Sequence, residues 1–194
     1  LSLDNAFEPE DLYDFEKRTF NKIKKQTLFY SCEPKIDGVA VSLIYEKGKF
    51  IKAGTRGDGE QGEDITHNVK TIKQIPLMLN GKNHPDKIEI RGEIYCEKTA
   101  FDKFNKEYAK SGQKTFANPR NFVAGSIRQL NPEIAAARPL KIQLHSLGYV
   151  DQKNFFKSHQ EMLNTFLSWN LPINPDTELV NSIEEVISYC DRLT

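Results

Sequence analysis

The chain has 194 residues, enough for one domain or one domain with a small appendage, and its 38% hydrophobic content with 12 Phe and 7 Tyr can fill a substantial core. Its 27 basic and 27 acidic residues cancel, so no global basic excess argues for a nucleic-acid partner. Cys32, Cys96 and Cys190 lie far apart without a C-x-x-C pair, and no apolar run reaches the ~18 residues of a spanning helix. That excludes a recognisable zinc site, a disulfide framework and a transmembrane protein, and it points to a reducing cytoplasm.

In chain order, residues 9–25 are expected to form a helix. Pro9 stands near its start, acidic residues fill its first turn, and Leu12, Phe15, Thr19 and Ile23 recur at helical spacing. From Leu28 to Tyr45 the period changes to that of a strand, with Val39, Val41, Leu43 and Tyr45 alternating against Ala40, Ser42 and Ile44. Glu46-Lys47-Gly48-Lys49 closes a hairpin into Phe50–Ala53. Another strand is expected over Lys87–Cys96, then a helix over 98–110 with Phe101, Phe104 and Tyr108 on one face. The stretch Gln113–Pro132, rich in Asn, Pro, Gly and Arg, reads as largely loop, and Leu140–Val150 as a strand.

Two helices close the chain. One is expected near 154–169, with Phe155, His159, Met162 and Phe166 in step. The other starts at Ser182, where Ser182-Ile183-Glu184-Glu185 forms a capping box. Strands joined mainly by hairpins, with helices between groups, indicate an α+β fold rather than a doubly wound parallel sheet. The opening residue is Leu rather than Met, which suggests a piece of something longer.

Charge is uneven locally. Lys110, Lys114, Arg120, Arg128, Arg138 and Lys141 face only Glu133 between Tyr108 and Ile142, a net of 6 − 1 = +5. Such a stretch can face phosphates, although on charge alone a solvated face is the simpler reading.

The chemistry centres on Cys32-Glu33-Pro34-Lys35-Ile36-Asp37-Gly38. If the segment is extended, Glu33, Lys35 and Asp37 project from one face, and Gly38 permits a bend or a close backbone approach. A free lysine, with a pKa of about 10.4, is protonated at neutral pH. A nucleophilic lysine therefore needs desolvation or nearby cations, and a divalent metal near Asp37 is one source. Taken alone, K-x-D-G more often marks an exposed lysine paired with its aspartate on an edge strand. A second block follows, Thr55-Arg56-Gly57-Asp58-Gly59 and Gly62-Glu63-Asp64-Ile65-Thr66-His67-Asn68. Its simplest reading is a turn between strands. Nothing extracellular supports Arg-Gly-Asp as an adhesion motif.

Four blocks in order, CEPKIDGVAVSLIY, TRGDGEQGEDITHNVKTIKQIP, EIRGE and FANPRNFVAGSIRQLNP, together with the opening Ser2-Leu3-Asp4-Asn5, resemble the NAD-dependent bacterial DNA ligases. The blocks span most of residues 1–149, and the last forty-five residues match only in general character. The resemblance implies an α+β covalent nucleotidyltransferase fold, with residues 1–194 forming part of an adenylation domain. It implies that Lys35 attacks the α-phosphate of NAD, releases nicotinamide mononucleotide and holds AMP, which then passes to the 5′-phosphate of a nick in double-stranded DNA. Magnesium is the implied cation, zinc belongs to another part of the family's chain, and the protein is expected to be a cytoplasmic monomer.

The resemblance assigns Asp37, Arg120 and Arg128 to catalysis beside Lys35. It assigns Ser2, Leu3, Glu33, Ile36, Arg56, Glu93 and His145 to the nucleotide. Glu33 would read the exocyclic amine of adenine, Ile36 the base through its backbone, and Ser2 and Leu3 would border it. Arg56 would pair with phosphate or ribose, and Glu93 would accept from ribose hydroxyls. Alone, Glu93 reads as a strand residue paired with Arg91. His145 stands where the family commonly has a stacking tyrosine, and its bland reading is a strand histidine satisfied by neighbours. Phe122 and Val123 are bulkier than the small residues usual there.

The family's Asp-Gly-x-x-x-Lys strand, a further lysine, the nicotinamide-binding segment and the oligonucleotide-binding, zinc, helix-hairpin-helix and C-terminal modules are not in this sequence. The expectation is therefore an isolated chain that is weak in self-adenylation and unable to seal nicks. Rival readings are an ATP-dependent ligase or mRNA-capping guanylyltransferase, and a catalytically silent nucleotide- or DNA-binding module.

Overall fold

The computed structural model describes residues 4–23, 27–57 and 62–193. In chain order these form α1 (Pro9–Ile23), β1 (Tyr30–Cys32), β2 (Val39–Glu46), β3 (Lys49–Thr55), α2 (Thr66–Val69), β4 (Lys87–Tyr95) and α3 (Lys98–Lys110). There follow α4 (Pro119–Ile127), α5 (Pro132–Ala136), β5 (Lys141–Val150), α6 (His159–Ser168), β6 (Glu178–Val180) and α7 (Ile183–Leu193). The expected α+β architecture is present. The chain divides into two compact units, residues 35–174 and residues 1–34 with 175–194.

The larger unit is built on an antiparallel sheet in the order β3-β2-β4-β5. Alternation along the strands sorts its faces. Val41, Leu43 and Tyr45 of β2, Ile88, Ile90 and Ile94 of β4, and Ile142 and Leu144 of β5 are buried and enter one core. Helices α3, α4 and α6 add Phe101, Phe122, Val123, Ile127, Leu163 and Phe166 to it. The alternate positions Ser42, Glu89, Arg91, Glu93 and Gln143 occupy the opposite face.

Strand β5 carries two extra residues. Leu144 pairs with Gly92 and Ser146 with Arg91, so His145 is a bulge, and Gly148 is a second one between Leu147 and Tyr149. The β2–β3 hairpin turns at Lys47 and Gly48, both at positive φ, as a tight hairpin with right-handed strand twist requires.

In the smaller unit β1 pairs with β6, and Cys32, Val180 and Tyr189 form a small buried cluster flanked by Tyr30 and Val186. The Tyr30 hydroxyl donates to Glu16 at 2.7 Å, and burial, reinforced by that carboxylate, pushes the phenol up. Helix α7 begins as its capping box predicts, with Glu185 N donating to Ser182 Oγ at 3.3 Å.

Three expectations need correction, and two short elements were not foreseen. The Leu28–Tyr45 strand is two strands separated by residues 33–38, which join no sheet. Half of the 113–132 stretch is helix, in α4 and the first residue of α5, where loop was expected. Asn118 and Asn131 each cap a helix whose first residue is proline, and Phe122, Val123, Ser126 and Ile127 are buried at helical spacing. The helix expected over 154–169 begins only at His159. Ser158 caps it, while Asn154 has positive φ and Phe155 packs onto the core from outside the helix. Helix α2 and strand β6, too short for a period to register, were not anticipated.

Candidate active site

Lys35 and Asp37 lie just before β2, both exposed, with Ile36 half-buried between them. What fixes them is the glycine that follows. A Cβ on Gly38 would come within 2.2 Å of the carbonyl oxygen of Ile94, so only glycine lets the segment lie against the end of β4. Glu93, one residue away on β4, sits opposite Ala40 and Gln143 on the open face of the sheet.

Glu93 reports which charges gather here. Burial pushes its carboxyl above the ordinary carboxylate range, and Asp37 adds to that push, while Arg120, Lys35 and Arg56 pull it back. Four sequence-predicted residues, Lys35, Asp37, Arg56 and Arg120, thus bear on a fifth, Glu93. Glu93 is not the strand partner of Arg91, whose Nε donates instead to Glu89 at 3.0 Å.

Helix α4 carries both predicted catalytic arginines. Arg120 follows Pro119 in its first turn and Arg128 is its C-cap, eight residues on, about 12 Å along the axis. Arg120 Nη1 donates to Asp37 Oδ1 at 3.2 Å. Both side chains are well over half exposed, so the pair is weak and can yield to a phosphate oxygen. Arg128 Nε donates to Glu63 Oε2. Phe122 and Val123 create no obstruction, because both point into the core. Phe122 packs with Phe101, Phe104 and Phe116, and Arg138 covers that cluster at 5.2 to 5.9 Å from three of its rings.

The +5 stretch therefore does not act as one basic face. Arg138 is committed to the aromatic cluster and to Ser126 Oγ, and Lys141 to Glu97 at 2.5 Å. Among the described residues, Arg120 and Arg128 are the members of that set that meet carboxylates of the motif blocks.

The remaining predicted residues are spread more widely. Arg56 is exposed at the end of the β2–β3 hairpin, its backbone N–H donating to Ala40 O at 3.2 Å. His145 is exposed at its bulge. Glu33 belongs to the smaller unit, where it accepts from Ser31 Oγ at 3.1 Å. Ser2 and Leu3 lie outside the described residues.

Reasoning from sequence missed Glu63 and Asn68. Asn68 is buried and donates to Ile127 O and Gln129 O, both at 2.8 Å. Its place in the quoted Gly62–Asn68 block was the available signal. Among the described residues no group of three or more His, Cys, Asp or Glu side chains forms a metal cage. None of the described helices is long and apolar enough to cross a membrane.

An antiparallel sheet whose open end gathers a motif lysine, two carboxylates and arginines from separate elements defines a domain of the covalent nucleotidyltransferase class. The family comparison is more specific: the chain belongs to the NAD-dependent DNA ligase adenylation domain family, whose model matches residues 1–194. Among similar proteins are DNA ligases of Hahella chejuensis, 47% identical over 97% of this chain and 28% of that relative, and of Coxiella burnetii, 46% identical over all of this chain and 29% of the relative. A third, from Azotobacter vinelandii, is 44% identical over 97% of this chain and 24% of its own length. The chain thus spans less than a third of these relatives.

Proposed function

We propose that Lys35 is the nucleophile that takes AMP from NAD. Its neutral Nζ attacks the α-phosphorus, an N–P bond forms, the P–O bond to nicotinamide mononucleotide breaks, and the amine proton leaves to a base or solvent. AMP then passes to the 5′-phosphate of a nick in double-stranded DNA, where the adjacent 3′-hydroxyl displaces it. These are in-line displacements at phosphorus, for which the protein mainly supplies position and charge.

In this reading Arg120 shifts from Asp37 to a non-bridging oxygen, and Arg128 meets a second phosphate from the far end of α4. Arg56 and Glu93 hold the phosphate and ribose of the nucleotide. Ile36 borders adenine through its backbone, and His145 stacks on it. A single carboxylate such as Asp37, completed by substrate phosphate oxygens and water, suits magnesium, which rarely occupies an all-protein cage. When bound there, the metal would supply positive charge beside that of Arg120. On this reading residues 1–194 are part of an adenylation domain, working as a cytoplasmic monomer in replication and repair.

The observation that carries the proposal is the Arg120–Asp37 pair at 3.2 Å, which joins two motif blocks 83 residues apart, beside a Gly38 packed against β4 one residue from Glu93. The test is intact mass after incubation of the longest natural chain carrying this domain with NAD, ATP or GTP. The expected result is one AMP adduct from NAD alone, lost in Lys35→Ala. Labelling by ATP but not NAD would overturn the donor, and a labelled Lys35→Ala protein the nucleophile.

A further inference from the structure

The second half of the glycine-punctuated block has no role so far, and the structure gives it one. After β3 the chain returns alongside the end of that strand. Thr55 N donates to Glu63 O and Glu63 N to Thr55 Oγ1, each at 3.0 Å, and Ile65 N donates to Ala53 O at 3.0 Å. A Cβ at Gly62 would lie 1.8 Å from Thr55 O, so glycine is what admits this close return. Thr66 Oγ1 then accepts from Ala53 N at 3.0 Å, and Thr66 Oγ1 also donates to Asp64 Oδ1 at 2.6 Å. The backbone of Glu63 is therefore tied to the sheet on both sides.

Five residues later, buried Asn68 uses both amide hydrogens on the carbonyls of Ile127 and Gln129. Those carbonyls bracket Arg128, which fixes the arginine's backbone. Glu63 fixes the other end of the same residue by accepting from its Nε. A guanidinium held through Nε still presents the edge formed by its two Nη groups, which can donate in parallel to a phosphate. Among the described residues, the hydrogen bond that Arg128 makes to Glu63 uses Nε and neither Nη group.

We infer that Glu63 and Asn68 are positioning residues for Arg128: the segment 62–69 clamps its backbone and turns its outer edge toward substrate phosphate. The inference rests on the proposed role of Arg128. It differs from a competitor role, in which Glu63 would occupy Arg128 and have to be displaced.

Glu63 is the cleaner probe because its side chain is 58% exposed, so its replacement should not unfold the domain. Sealing of a nicked duplex with NAD, at saturating concentrations of both, should be measured in the longest natural chain for Glu63→Ala, Glu63→Gln, Arg128→Ala and Glu63→Ala/Arg128→Ala. The expected result is a kcat about 10- to 100-fold lower for Glu63→Ala, as for other misplaced catalytic groups, with unchanged KM for NAD and unchanged thermal unfolding. Glu63→Gln, which keeps an acceptor, should recover part of the rate. The double variant should be no slower than Arg128→Ala, since Glu63 acts only through that arginine.

Multiplicative losses in the double variant, or a full-speed Glu63→Ala protein beside an impaired Arg128→Ala, would overturn the inference while leaving the role of Arg128 intact. A faster Glu63→Ala protein would overturn it in favour of competition. A full-speed Arg128→Ala protein would remove the role of Arg128, and this inference with it.

Discussion

The two faces of the β3-β2-β4-β5 sheet differ completely in what they carry. One presents Leu43, Tyr45, Ile88, Ile90, Ile94, Ile142 and Leu144, each no more than 1% exposed, to a single core. The other presents Ser42, Glu89, Arg91 and Glu93, where Glu89 accepts from both Ser42 Oγ at 2.7 Å and Arg91 Nε at 3.0 Å. The strands cannot tell these jobs apart except by parity, so each residue of β4 belongs to stability or to chemistry according to whether its position is even or odd. The site is held on a framework whose apolar core lies on the other side of the sheet.

The largest effect expected is on the core face. Leu43→Ala removes a fully buried side chain and should cost about 2–5 kcal/mol in urea unfolding, from collapse the site cannot complete. The fraction of chains that remain folded should still label at the normal rate. A labelling defect without a stability loss would break the division between the faces.

A smaller but more informative effect is expected at Gly92, where the two faces meet. A Cβ there would lie 2.2 Å from Gln143 O and 2.8 Å from Leu144 Cδ2. Gly92→Ala should cost about 1–3 kcal/mol as strand β5 is forced away. It should also slow AMP transfer, because Glu93 is the next residue. Hydrogen exchange at the β4–β5 pair, measured alongside labelling, tests whether both changes arise together.

The smallest effect concerns Glu93 itself. Its folded carboxyl titrates above its unfolded value, so the folded state holds the proton more tightly there. The unfavourable ionised form is absent at low pH and appears as pH rises through that interval. Glu93→Gln should therefore unfold at a slightly higher temperature than the parent at neutral pH, and the gap should close below the ordinary glutamate range. AMP transfer should fall in the same variant at all pH values. A variant less stable than the parent at neutral pH, with that deficit vanishing on acidification, would mean that the cations around Glu93 outweigh its burial.

Much of this framework was legible in the sequence, because period-2 and period-3.6 patterns are written in apolar residues. Strand β2 announced itself through Val39, Val41, Leu43 and Tyr45, and α3 matched its expected limits at residues 98 and 110. Helix α4 was concealed because its Asn, Pro and Gly are also turn residues, and the caps of a short helix resemble the punctuation of a loop. The site was legible only in pieces. Lys35 and Asp37 share a motif, but the 83-residue separation of Arg120 from Asp37 has no local signature. The Arg128–Glu63 pair, 65 residues apart, has none either, and both arginines were chosen through family resemblance.

The two bulges of β5 have a consequence for the chain's tolerance of length errors. Ladder pairing counts neither His145 nor Gly148. A copy lacking one residue next to either bulge can close as an ordinary ladder, with every later side chain keeping its side of the sheet. The same deletion in β4 would turn the remainder of that strand inside out, exchanging isoleucines for carboxylates. A change in length is therefore absorbed beside either bulge of β5 with less disturbance to the ladder than anywhere in β4.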